Sequence, residues 1–188
     1  MHLNPLILLT TAISLVSAAA LPANDLTKRD GSAVVAAVAK ISDQTEALNS
    51  TVSSYDGGIL GTLTALKIET EAIGLNNDLR SAISTTKHSA NFTDAESLSV
   101  ATAFLNLVPV VQSTLDNIVS KKPDFDTGLL GIASISFLVK DNLETEQQLS
   151  LKLGQEVEKK LTAVYAAIAP LVLDEIDGAF TAAIDADS

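Results

Sequence analysis

Apolar residues recur along this chain every three or four positions, the period that gathers them onto one stripe of an α-helix. Between Ser32 and Tyr55 the stripe is Val34, Val38, Ile41, Thr45, Leu48, Val52 and Tyr55, and the run Asp56-Gly57-Gly58 ends it. A second helix is predicted from about Ile59. It carries two apolar lines, Leu63, Leu66, Thr70, Ile73 and Ile68, Ala72, Leu75, Leu79, Ala82, which predict contact with two neighbours. The polar stretch Ser84–Asn91 reads as a loop. Thr93-Asp94-Ala95-Glu96 then has the spacing of a capping box, where a hydroxyl and a carboxylate three residues apart satisfy each other's free amides, so a third helix starts there. Its inward residues are Val100, Phe104, Leu107, Val108, Val111, Leu115 and Ile118, and Lys121-Lys122-Pro123 closes it.

A fourth helix is expected from Asp126 or Thr127 through Leu130, Ile132, Ile135, Phe137, Leu138 and Leu149 towards Leu153, with Gly154 as its stop. The last, from about Gln155, aligns Val157, Leu161, Val164, Tyr165, Ile168, Val172, Ile176, Phe180 and Ile184. No sustained period-two alternation argues for strands. The predicted fold class is therefore all-α, a single bundle of about five long amphipathic helices. Pro109 and Pro170 interrupt the third and last patterns. Each removes an amide donor and displaces the carbonyl four residues back, so two kinks are expected. Kinked helices either leave an apolar cavity or wrap a filled core, and the pattern alone does not choose.

The N-terminus adds a secretory reading. Leu6–Val16 is apolar but too short for the roughly 20 residues that span a bilayer, and Ser17-Ala18-Ala19-Ala20 supplies the small residues of a cleavage site. Residues 1–20 read as a signal peptide. Residues 21–29 read as a propeptide ending in the dibasic processing pair Lys28-Arg29, and 30–188 as the bundle domain. On the secretory route Asn49-Ser50-Thr51 and Asn91-Phe92-Thr93 become glycosylation acceptors, Asn49 and Asn91. The C-terminal residues carry no apolar tail of the sort a lipid-anchor signal needs, so the expected location is extracellular, with at most non-covalent attachment to a wall.

Charge and chemistry narrow the function. The chain has 12 basic and 23 acidic residues, a net charge of −11, and no cysteine. Nucleic acid is excluded as a partner, because phosphate neutralisation needs clustered Lys and Arg, and no transmembrane segment is expected. Beyond the signal segment His88 is the only histidine, which argues against a Ser-His-Asp triad. Asp124-x-Asp126-x-Gly128 lacks the third oxygen ligand of an EF-hand loop, so no metal or other cofactor is expected. The carboxylate pairs Glu69/Glu71, Glu144/Glu146 and Asp174/Asp177 read as solvated faces. The hydrophobic fraction, 47% against 19% charged, exceeds what a small core requires.

These features together resemble the fungal hydrophobic-surface-binding and cell-wall galactomannoprotein family. The likeness rests on their order: a signal peptide, no cysteine, Lys28-Arg29, a first helix bearing Val38, Ile41 and Leu48, Lys121-Lys122-Pro123-x-Phe125 before the fourth helix, and a closing Ile176-x3-Phe180-x3-Ile184. The resemblance implies a helical bundle around an apolar cavity, adsorption to hydrophobic surfaces, and binding of fatty-acid-like lipid or phospholipid. A sixteen-carbon chain would bury roughly fifteen apolar carbons at about 0.8 kcal/mol each, enough to offset the cost of association. The residues expected to line such a site are Phe104, Val108, Val111 and Leu115, then Phe137 and Leu138, then Tyr165, Ile168 and Val172. Two other functions stand beside it: a structural or antigenic wall mannoprotein contacting polysaccharide, and an adaptor bringing a secreted hydrolase to an oily substrate. An enzyme in its own right is the least supported.

Overall fold

The computed structural model describes residues 23–127 and 135–186, with side chains from Asp30 onward. The expected signal peptide and the side chains of Lys28 and Arg29 lie outside the described residues, as do Leu130 and Ile132. The elements are α1 Ala23–Ser53, α2 Gly58–His88, α3 Asp94–Ser120, α4 Lys122–Asp126, α5 Ser136–Glu158, α6 Ala163–Ala166 and α7 Ala169–Ala186. No strand occurs among the described residues.

The five long helices close into a ring. α3 packs on α1, α1 on α2, α2 on α5, α5 on α7, and α7 returns to α3. The topology has a geometric consequence. Five rods spaced about 9–10 Å apart stand about 8 Å from the common axis, while helical side chains reach only about 5–6 Å from their own axis. An axial gap of about 2–3 Å radius follows unless large side chains close it. The buried core includes Val34, Val38, Ile41, Leu48 and Val52 of α1, Leu75 and Leu79 of α2, Val100, Phe104 and Leu115 of α3, Leu143 and Leu153 of α5, and Ile176 and Phe180 of α7.

α3 is apolar and long enough to cross a membrane by length and composition. In the bundle it is wedged between α1 and α7, with Val100, Phe104, Leu107, Val108, Leu115 and Ile118 buried. Its capping box forms as the spacing predicts: Thr93 Oγ1 accepts from the Glu96 amide at 3.3 Å, and Glu96 Oε2 accepts from the Thr93 amide at 2.9 Å. The other Glu96 oxygen accepts from the Gly31 amide of α1 at 3.3 Å. A Cβ at position 31 would lie 2.7 Å from Glu96 Cβ, so only glycine permits this approach. One carboxylate thus caps α3 and fastens it to α1. Glu96→Ala is expected to cost about 1–3 kcal/mol in urea unfolding, because the buried Gly31 amide and the part-buried Thr93 amide both lose their acceptor.

Four sequence expectations change. α2 runs on to His88, so the loop forecast at Ser84–Asn91 shortens to the residues after His88. Only one of the two apolar lines on α2 is buried: Ile68, Ala72, Leu75, Leu79 and Ala82 face inward, whereas Leu63 and Leu66 are 78% and 62% exposed. Gly154 does not stop a helix. It sits buried within α5, and the break comes at residues 159–162, where the Leu161 amide bonds back to Val157 and the Thr162 amide crosses to Ser97 Oγ at 3.1 Å. The long final helix is therefore split into α6 and α7, and Val164 is left 75% exposed. Pro170 then stands in the first turn of α7, where a missing amide costs no helical hydrogen bond, while Pro109 lies on the exposed side of a continuous α3.

Candidate functional site

Among the described residues, three apolar cavities lie along the ring. The largest of these three, about 180 Å³, lies between α1, α2, α4 and α5 and is walled by Leu48, Val52, Ala65, Ile68, Ala72, Phe125, Ile135, Leu138, Val139 and Leu143. A smaller one of about 30 Å³ continues among Ile41, Leu75, Leu79, Phe104, Leu107, Val111, Leu115, Leu153, Ile176 and Phe180. These two share Leu48, Ile118 and Glu146 in their walls. A third of about 40 Å³ lies under α6 and the start of α7, lined by Leu105, Val157, Leu161, Tyr165, Ile168, Val172 and Leu173, and it shares Phe104 with the second.

Local sequence explains the openings. At the larger cavity α2 presents Ala65 and Ala72, short side chains where the facing α5 presents Val139 and Leu143. The floor is fixed by Tyr55 and Phe125, both fully buried and stacked with ring centroids 5.1 Å apart. The α4 segment bearing Phe125 is held from three sides. Lys121 Nζ donates to the Tyr55 carbonyl at 2.5 Å, the Ile135 amide donates to the Phe125 carbonyl at 3.0 Å, and Ser136 Oγ donates to Asp126 at 2.7 Å. Lys121 is therefore a strut between the α1–α2 turn and α4, not the solvated helix-end charge its sequence position suggests.

The nine residues expected to line a lipid site fall unevenly. Phe104, Val111 and Leu115 line the second cavity, Leu138 the largest, and Tyr165, Ile168 and Val172 the third. Val108 is buried but lines none of the three, and Phe137 is 66% exposed and lines none. Phe137 points outward because the inner stripe of α5 is Ser136, Val139, Leu143, Glu146, Leu149, Leu153 and Val157, which keeps the expected Leu149 and Leu153 but leaves Phe137 off it. The α2 wall, Ala65, Ile68, Glu69 and Ala72, escaped the sequence reading because short residues on a helix give no signal of what they leave open.

Glu146 reverses its expected place on a solvated face. It is 4% exposed, its Oε1 has no hydrogen-bond partner, and it stands at the junction of the first two cavities. Burial pushes its carboxyl up from 4.5 to about 8, helped by repulsion from Glu69. It is therefore un-ionised at neutral pH. Its position could have been noticed, because Leu143, Glu146, Leu149 and Leu153 share one helical stripe. Glu69 is only partly buried and accepts from Asn142 Nδ2 at 2.8 Å.

The two sequons differ in setting. Asn91 is exposed in the α2–α3 connection. Asn49 is half-buried within α1, where Asn117 Nδ2 donates to its side-chain oxygen at 2.7 Å. His88, exposed at the end of α2, contacts the Ser84 carbonyl and lies on no cavity wall. The cavity walls are apolar and present few groups beyond one neutral acid, hydroxyls and one amide–carboxylate pair.

Comparison with known proteins agrees with this geometry. The model of a family described as hydrophobic surface binding protein A matches residues 31–159. Cell wall mannoprotein 1 of Aspergillus fumigatus is 28% identical over 178 residues, spanning 95% of this chain and 58% of that protein. The chain thus spans little more than half the length of this curated relative. Among solved structures, Afmp4p in complex with palmitic acid is 26% identical, with a TM-score of 0.78 over 84% of this chain and 99% of that one. Ligand binding domain 1 of Penicillium marneffei MP1 protein, complexed with arachidonic acids, is 17% identical with a TM-score of 0.72 over 81% and 94%, a likeness of fold.

Proposed function

We propose that this chain, which belongs to the hydrophobic surface binding protein A family, is a secreted, non-catalytic carrier that takes the acyl chain of a fatty-acid-like lipid into the axial space of its helical ring. The observation that carries the reading is a pair of neighbouring apolar cavities, walled from Phe125 to Phe180 with three residues in common, inside a ring of five helices. The solved relative that holds palmitic acid, matched over nearly its whole length, supports the same occupant. Each methylene moved from water into this space contributes about 0.8 kcal/mol, so affinity comes from length of chain and needs no reactive group.

Filling the space tests it. Ala65 is partly buried on the wall of the largest cavity, and Ala65→Leu places three further carbons there. The variant is expected to bind the fluorescent fatty acid cis-parinaric acid at least tenfold more weakly while its thermal stability holds or rises, since filling a void adds contacts. Unchanged uptake by the folded variant removes the cavity reading.

A second mode has its own observation. Ile59, Leu60 and Leu63 stand 70%, 93% and 78% exposed on one side of α2, with Leu66 beside them. Such a contiguous apolar face suits adsorption to an oily surface. On a secretory route, Asn91 is the sequon that accepts a glycan without breaking a helix contact, whereas a glycan at Asn49 would part the α1–α3 seam.

A further inference from the structure

The cavity walls say what the inner end of the ligand is, given that an acyl chain is the guest. We propose that this end is an uncharged hydrogen-bonding group, an alcohol or an un-ionised carboxylic acid, seated against Glu146 where the two cavities meet, and that an ionised carboxylate is refused there. Every helix of the ring contributes to the argument. α1 offers Thr45, whose hydroxyl is already spent on the Ile41 carbonyl at 2.7 Å, and α3 offers Thr114, spent on the Val110 carbonyl at 2.8 Å. α2 offers the Glu69 carboxylate and the Thr62 hydroxyl, α5 offers Asn142, which is bound to Glu69, and Ser150, and α7 and α4 offer only apolar side chains. Among the described residues no Lys, Arg or His lines either cavity.

An anion drawn inward would therefore meet a second carboxylate and no cation, in surroundings that have already kept Glu146 from ionising. A neutral carboxyl at position 146 both donates and accepts, so a hydroxyl or a protonated acid satisfies its Oε1, which has no hydrogen-bond partner in the protein. Recognition of a neutral end thus follows from the same burial that leaves Glu146 unpaired.

The test is displacement of Nile red by hexadecanol and by palmitate from the full chain at pH 7 and pH 5, in wild type, Glu146→Leu and Glu146→Gln. At pH 7 hexadecanol is expected to displace the dye at a concentration at least tenfold below palmitate. At pH 5 the gap narrows, because a carboxyl of ordinary pKa, roughly 4.5, recovers its proton there more readily. Glu146→Leu raises the hexadecanol requirement roughly tenfold, the effect of deleting one buried hydrogen bond, and Glu146→Gln restores it because an amide also donates and accepts. Palmitate matching hexadecanol at pH 7, or hexadecanol binding indifferent to Glu146→Leu in a variant that retains its helical circular dichroism, overturns the assignment and leaves acyl binding standing. Failure of both amphiphiles to displace the dye overturns the assignment together with the reading on which it rests.

Discussion

Glu146→Gln is expected to flatten the dependence of thermal stability on pH between about pH 5 and pH 8. In the folded chain burial raises this carboxyl from 4.5 to about 8, so across that interval the folded state keeps a proton that the unfolded state gives up. Stability contributed by the protonated group is therefore full below about pH 4.5 and is lost as pH rises towards 8, at about 1.4 kcal/mol for each pH unit. Over the interval this amounts to roughly 4–5 kcal/mol, and for a chain of this size a fall in melting temperature on the order of 10 °C. The amide of Gln cannot ionise and carries no such load. Calorimetric scans in a pH series measure the difference directly: wild type should lose stability with rising pH and Glu146→Gln should not. Parallel profiles for the two proteins would show that Glu146 is solvated in solution.

Phe125→Ala is the second change with a large expected effect, a loss of about 3–5 kcal/mol by urea unfolding. The ring is fully buried, stacks on the fully buried Tyr55, and forms one wall of the largest cavity. Its removal adds a hole beside an existing one, and the pairing with Tyr55 contributes further beyond area. The α4 turn that carries it has little else to hold it in place, since its own length is one helical turn and its anchors are Lys121, Ile135 and Ser136. The same variant should admit a bulkier dye, so stability and uptake are expected to move in opposite directions. A loss below 1 kcal/mol would show that α4 does not seal the bundle in solution.

Local chemistry made much of the fold legible. The α1 stripe from Val34 to Tyr55 is buried at every position named, because a helix that contributes one face to a ring needs one stripe, and a stripe is written as a period. The Thr93–Glu96 capping box is equally local, and both its bonds form. The third helix was also readable in its start and its inward stripe, whereas Lys121 at its end serves as a strut to the Tyr55 carbonyl. Misreadings came where a neighbour decides. Leu63 and Leu66 keep helical spacing with no partner to cover them among the described residues, and Gly154 is a helix interior because Leu173 of α7 packs against it. Phe137 was given to the core by its type and removed from it by a register that Val139 and Leu143 set.

The sequence alone determined that this protein is a bundle of long helices without cysteine, rich in aliphatic residues and acidic. Those properties depend on residue type and on spacing of three and four, which any stretch of chain carries by itself. The tertiary structure decided that five helices close into a ring, that the alanines of α2 face a space they do not fill, and that Glu146 meets that space as a neutral acid. Such facts arise from which surfaces lie opposite one another. A void and a desolvated carboxyl are properties of several distant segments at once, and the pattern along one helix holds no record of what stands across the axis.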